Sequence, residues 1–203
     1  MNLKCGIIKR LEILLVFFTM SFVLLTNSVQ TAIATSNSPF SLIDYVSTHE
    51  ISSLSDFNEV LEHYCNRYYE PFFVENEVFF QLDIDTTNNL VIISVIEDLP
   101  CNRDTKTARG TKKYYSDDGA VAFTVSVEGR FGYSYTQSTA LSVTGSFSPA
   151  PLSLWTSTPT LTSGNFSPTL AYVKIYGTAT CLLNTQFYSI TLMCDNYGNI
   201  TGN

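Results

Sequence analysis

Histidine occurs only twice in the chain, at His49 and His63, and tryptophan once, at Trp155. With so few imidazoles, the patterns that build zinc proteases are missing, and no His-Glu-x-x-His is present. Gly-x-Ser-x-Gly, Gly-x-Gly-x-x-Gly and the phosphate loop are absent as well, which excludes the common serine-hydrolase, dinucleotide and nucleotide signatures. His63 stands two residues before Cys65. On a helix those positions point apart, so they form no Cys–His dyad. Asp83-Ile-Asp85, with Asn88 and Asn89 behind it, is a poor calcium loop. Such a loop needs Gly at its sixth and Glu at its twelfth position, and Asn88 and Ser94 stand there. No catalytic residue, metal ligand or cofactor is assigned.

Positive charge is scarce: Lys and Arg number 11 against 18 Asp and Glu. Phosphate binding needs a basic surface, so nucleic acid is not expected as a partner. The imbalance is local. From Thr35 to Pro100 twelve acids face one arginine, and from Cys101 onward seven basic residues face five acids. The acidic half reads as a solvated, solubilising face. Long apolar runs are also lacking. The longest, Ile13 to Leu25, has thirteen residues, short for a membrane span. It follows Lys4, Lys9 and Arg10 and precedes Ala32-Ile33-Ala34, a small-x-small cleavage pattern. Residues 1–34 therefore read as a secretory signal peptide cut near Ala34, which predicts a secreted, extracellular protein without a stable membrane anchor.

What is abundant is alternation. In the stretch 119–136, Val121, Phe123, Val125 and Val127 alternate with Ala122, Thr124, Ser126 and Glu128, the two-residue period of a strand with one buried face. Glu128-Gly129-Arg130 reads as a turn, after which Phe131, Tyr133 and Tyr135 resume the pattern. Further strands are expected at Thr111–Ser116, Leu141–Phe147, Leu152–Thr156, around Val173–Leu183 with a bulge at Gly177, and at Tyr188–Cys194. Residues 158–168 read as loop. Upstream, Leu54, Phe57, Leu61, Tyr64, Cys65 and Tyr68 recur at helical spacing, predicting a helix over 53–69. Two apolar runs around Thr86-Thr-Asn-Asn89 predict a hairpin over 78–96. The expected organisation is a signal peptide (1–34), an acidic α+β segment (35–100), a linker (101–110) and an antiparallel β-sandwich, Ig-like in architecture (111–203), with a closed barrel as the runner-up.

Removal of Cys5 with the leader leaves Cys65, Cys101, Cys181 and Cys194, enough for two disulfides or four buried thiols. With a turn at Asn184-Thr185, Cys181 would oppose Tyr188 and Cys194 would oppose Ile175. A Cys181–Cys194 bridge then needs a longer loop or another neighbour. Cys65 with Cys101 is the other candidate pair.

Ala108-Arg-Gly-Thr-Lys-Lys113, Asp117-Asp118-Gly119, Phe123-Thr-Val-Ser-Val127, Tyr176-Gly-Thr-Ala179 and Cys194-Asp-Asn-Tyr-Gly-Asn199 together resemble a group of uncharacterised short exported proteins of Gram-positive, clostridia-type bacteria. The likeness spans residues 108–203 and implies export and a β-fold; the acidic segment in front departs from it. Tyr and Trp offer a flat apolar face with a polar tip, so Trp155, Tyr133, Tyr135, Tyr172 and Tyr176 are the candidate binding residues. Trp155 is out of register with Leu152 and Leu154, which implies either a surface position or a twist of the strand there. The leading expectation is a non-catalytic exported β-domain that binds the cell envelope, a glycan or another protein. A secreted hydrolase with dispersed carboxylates and a membrane-active toxin-like β-protein are the alternatives.

Overall fold

The computed structural model describes residues 40–65, 71–100, 104–151 and 153–203. The expected signal peptide, the end of the expected 53–69 helix and Cys101 lie outside them. Among the described residues the fold is mainly β, with two short helices and two antiparallel sheets.

Helix α1 (Leu42–Thr48) starts at Ser41, whose Oγ accepts the Asp44 N–H as an N-cap. Helix α2 (Leu54–Tyr64) is capped in the same way by Ser53, and it buries Leu54, Phe57, Val60 and Leu61. Strands β1 (Glu77–Asp85), β2 (Leu90–Leu99), β3 (Thr105–Ser116), β4 (Val121–Ser134) and β5 (Gln137–Pro149) form a five-stranded meander. Strands β6 (Thr160–Ser167), β7 (Leu170–Cys181), β8 (Asn184–Asp195) and β9 (Ile200–Gly202) form a four-stranded one.

Alternation along β2 explains the layering. Val91, Ile93 and Val95 join one apolar cluster with both helices, Phe72 and Tyr115. Leu90, Ile92 and Ile96 join a second cluster with Phe123, Val125 and Val127 of β4, Val173 and Ile175 of β7, and Ile190 and Leu192 of β8. The first sheet thus carries the helices on one face and meets the second sheet with the other. Because both its faces are covered, β2 reads as an almost unbroken apolar run rather than as an alternating strand. The helices are tied down by the turn between β3 and β4. There Asp117 Oδ1 accepts the Ser41 hydroxyl at 2.7 Å and the Ile43 N–H at 2.9 Å. Gly119 beside it (φ +82°) lies directly under Cys65, whose Sγ would be 2.1 Å from any added Cβ.

Several expectations are corrected. The hairpin over 78–96 is not a unit apart from the sandwich strands, since β2 pairs with β3 from Leu90↔Ser116 to Leu99↔Thr107. The supposed linker lies in part inside β3. Strand neighbours run in chain order in both sheets, so the Greek-key crossing of an Ig-like arrangement is absent among the described strands. Glu128-Gly129-Arg130 is not a turn; β4 continues through it, with a register shift against β5 at Arg130/Phe131. Gly129 is there because a Cβ would come within 2.4 Å of Val173 Cγ2 on the opposite sheet. Val121 leaves the face of Phe123, Val125 and Val127 because the register shifts at Tyr114/Tyr115, and it packs under the helices instead. Gly177 makes no bulge. It pairs with Tyr188, whose ring fills the space a side chain would take. Residues 160–167 form β6 rather than loop, while the described part of the expected strand Leu152–Thr156, residues 153–156, contributes an isolated bridge, Thr156↔Thr180.

Candidate functional site

Strand β7 sends Ala171, Val173 and Ile175 into the core, which turns Tyr172, Lys174 and Tyr176 to the outer face of the four-stranded sheet. No helix among the described residues covers that face, because both described helices pack on the other sheet. The Tyr172 ring lies over Gly164 of β6, 3.2 Å from where a Cβ would sit, and stacks on Phe166 at 4.4 Å between centroids. Lys174 Nζ stands 5.4 Å from the centre of the Tyr176 ring, a cation–π contact. Thr160 and Thr162 flank Tyr176 and Lys174 on β6, and Ser189, Thr191 and Met193 flank Tyr176, Lys174 and Tyr172 on β8. The result is an uncovered strip of rings bordered by hydroxyls. Flat apolar rings among hydrogen-bonding groups suit a sugar ring, which has an apolar face and a polar rim.

The remaining candidate aromatics are elsewhere. Trp155 is buried, 8 % exposed, and packs on Phe123 at 5.1 Å between ring centres, so the surface position is overturned. Its neighbour Leu154 is the exposed one. Tyr133 and Tyr135 sit at the sheet ends, where the β4–β5 and β8–β9 turns meet. The Tyr133 ring lies against Gly198 (φ +83°), and Asn196 Nδ2 donates to the Tyr135 carbonyl at 2.8 Å. Tyr135, 87 % exposed, meets Tyr197 edge-on at 6.5 Å. The five candidates therefore occupy three places. Phe166 is absent from the sequence-based candidates because its segment has the composition of a loop. The alternation of Leu161, Ser163 and Asn165 with Thr162, Gly164 and Phe166 before Pro168-Thr169 carries the signal.

Cys65, Cys181 and Cys194 are free thiols. The β7–β8 turn falls at Leu182-Leu183, so Cys181 opposes Asn184 and Cys194 opposes Ala171, four residues out from the expected register. Burial pushes the Cys194 thiol up to about 11. Cys65 is likewise at about 11, through burial and then the nearby Asp118 carboxylate. Neither is primed as a nucleophile.

A depression of about 820 Å³ lies between α1 and α2 and is lined by Tyr45, His49, Tyr64, Asp56, Glu59 and Glu62, among others. Its rings are engaged with one another: Tyr45 stacks on His49 at 4.1 Å and Tyr64 on Phe40 at 4.5 Å. Asp56 is held below the usual carboxylate range by hydrogen bonds from Ser52 and Ser53. The acids are spread over an open surface, and Glu97 is the one buried carboxylate-bearing residue among the described residues. Among those residues, too, no group of three His, Cys, Asp or Glu side chains could hold a metal ion. No helix among them is long and apolar enough to cross a membrane. No family model matches the chain, and neither a curated protein nor a solved structure matches it.

Proposed function

We propose that the chain is exported through residues 1–34 and that the mature protein is a non-catalytic β-sandwich that binds a cell-envelope polysaccharide. The binding surface is the outer face of β6, β7 and β8. The observation that carries this reading is the uncovered strip of Phe166, Tyr172, Lys174 and Tyr176 among threonine and serine side chains. Two further features support it. The two sheets share one apolar core, as a sandwich requires. The leader-like N-terminus and the motif likeness of residues 108–203 to exported proteins of Gram-positive bacteria point to the envelope as the site of action.

The test is retention of the mature chain, starting at Thr35, on insoluble purified cell walls. Tyr172→Ala with Tyr176→Ala removes both rings and is expected to lower retention by about tenfold or more. Tyr135→Ala, at the sheet end, should leave it unchanged. Equal retention of the double variant and the parent would refute the assignment of the surface. No retention of the parent would refute the envelope polysaccharide as ligand.

A further inference from the structure

Strand β8 has an edge that is only partly used. The β7–β8 hairpin closes on the pair Cys181↔Asn184, so even-numbered residues of β8 direct their backbone groups to β7 and odd-numbered ones to the other side. On that other side β9 pairs only with Leu192, Met193 and Cys194, and Asn203 exchanges two hydrogen bonds with Thr191, at 3.1 and 3.2 Å. Further along, Asn88 Nδ2 donates to the Thr185 carbonyl at 3.1 Å and to Gln186 Oε1 at 2.9 Å. Between these two fastenings the backbone of Phe187 and Ser189 faces outward with no described strand beside it; the Phe187 carbonyl accepts Gln186 Nε2 at 3.0 Å, a side-chain bond that an incoming strand would replace.

The floor beneath that gap belongs to the first sheet. At one end Gly202 of β9 rests on Ile96, whose Cδ1 would lie 2.6 Å from an added Cβ. At the other end stands Asn88. The β2 residues between them that face this way are Ser94 and Ile92. Gln81 and Lys112 flank Ser94 across the sheet, and Asp83 and Tyr114 flank Ile92. One of these side chains lacks what its burial demands, and a second carries a charge with no ion-pair partner among the described residues. Ser94 is 4 % exposed, and its Oγ has no hydrogen-bond partner among the described residues. Lys112 is half-buried and joins no ion pair among them. Burial lowers the Lys112 pKa, opposed by the Asp83 carboxylate. Asp83 itself is exposed and receives Gln81 Nε2 on both oxygens, at 3.0 and 2.9 Å. A buried hydroxyl without a partner and a desolvated ammonium are both costly unless something supplies an acceptor.

We propose that this vacant position beside β8, from Phe187 to Ile190, binds a short extended peptide segment, which adds as a strand and sets an inward-facing carboxylate against Lys112 and Ser94. Main-chain bonds to Phe187 and Ser189 supply the docking, and the carboxylate supplies the choice of sequence. A carboxylate has acceptor sites enough for the ammonium and the hydroxyl together. A second copy of the chain does not fit through its own β8 edge, because Thr185 and Thr191 are occupied at both ends of the gap. A segment of four residues spans roughly 13 Å, and its alternate side chains point at the floor. This site is separate from the aromatic face.

The probe is the blocked pentapeptide Val-Thr-Glu-Thr-Val, titrated into the ¹⁵N-labelled mature chain, with its Gln analogue as comparison. The amide resonances of Phe187 and Ser189 should shift, and the Glu peptide should bind about tenfold tighter than the Gln peptide. Lys112→Gln should abolish that preference while leaving the melting temperature unchanged or higher. Ser94→Ala, a second variant that disturbs packing little, should weaken the Glu peptide about threefold. Absence of shifts at both amides at millimolar peptide, equal binding of the two peptides, or shifts confined to the face of Tyr172 and Tyr176 would each overturn the proposal.

Discussion

Gly129→Ala puts a methyl group where the two sheets come closest, and its cost can be worked from the geometry. The new Cβ would lie 2.4 Å from Val173 Cγ2 and 3.0 Å from the Phe131 ring, well inside the separation at which carbon atoms attract. Overpacking of this kind costs about 1–3 kcal/mol, and contacts this short place it in the upper half of that range. Replacing Gly in a strand returns about 0.5–1 kcal/mol of backbone entropy. The net loss should be about 1–2 kcal/mol, a fall in melting temperature of about 2–8 °C for a chain of this size. Val173→Ala alone should cost about 2 kcal/mol, from lost apolar burial and the space left behind. In that background the clash with Val173 is gone and only the 3.0 Å approach to the Phe131 ring remains, so Gly129→Ala should be close to neutral. The coupling in the four-protein cycle, read by urea unfolding, should therefore be about 1–2 kcal/mol in favour of the double variant. Strict additivity, or a harmless Gly129→Ala in the parent, would refute the packing of β4 against β7 and restore a turn at that glycine.

Three other outcomes rest on particular contacts. Asn88→Ala removes the bonds from Nδ2 to Asp85, Thr185 and Gln186 and should destabilise by about 1–2 kcal/mol in urea unfolding, with faster amide exchange at the β7–β8 hairpin as the local signature. Cys65 and Cys194, with thiols at about 11, should resist iodoacetamide in the native protein at pH 8 and react in urea, which peptide mapping by mass spectrometry would read; rapid native labelling of either would contradict their burial. Glu97 is held above its ordinary value by burial, partly relieved by Arg109 and reinforced by Glu75 and Glu128. The folded protein therefore holds this proton more tightly than the unfolded chain, and stability is lost as pH rises from the unfolded value through the folded one. Glu97→Gln should accordingly gain stability at pH 7 over the parent and lose that advantage at pH 3, by urea midpoints at the two values.

Where burial alone sets the pattern, the sequence is readable. Tyr188, Ile190, Leu192 and Cys194 fall on one buried face of β8, as their spacing predicts, and Leu54, Phe57 and Leu61 line the buried side of α2. The two strands around Asn88-Asn89 end within two or three residues of where their apolar runs place them. What is not readable depends on partners distant in the chain. Gly129 and Gly177 have the local look of a turn and a bulge, yet each is small because of one side chain, Val173 in the other sheet and Tyr188 on the neighbouring strand. The side of Val121 depends on a register shift opposite Tyr114 and Tyr115. Trp155 comes after two prolines in a segment without ladder partners, where two-residue alternation has no force, and its ring turns inward to Phe123. The aromatic strip is half visible. Tyr172 and Tyr176 share a strand, but Phe166 joins them only once β6 is known to lie alongside.

Because Val91, Ile93 and Val95 lie against the helices while Leu90, Ile92 and Ile96 lie against the second sheet, β2 is a partition wall common to two rooms. Neither room can be emptied without baring one side of that wall. Removing residues 40–65 would leave a greasy patch around Tyr115 open to water and invite self-association. Melting monitored at the helices and at the sheets should accordingly register a single event, with the whole of 40–203 coming apart together.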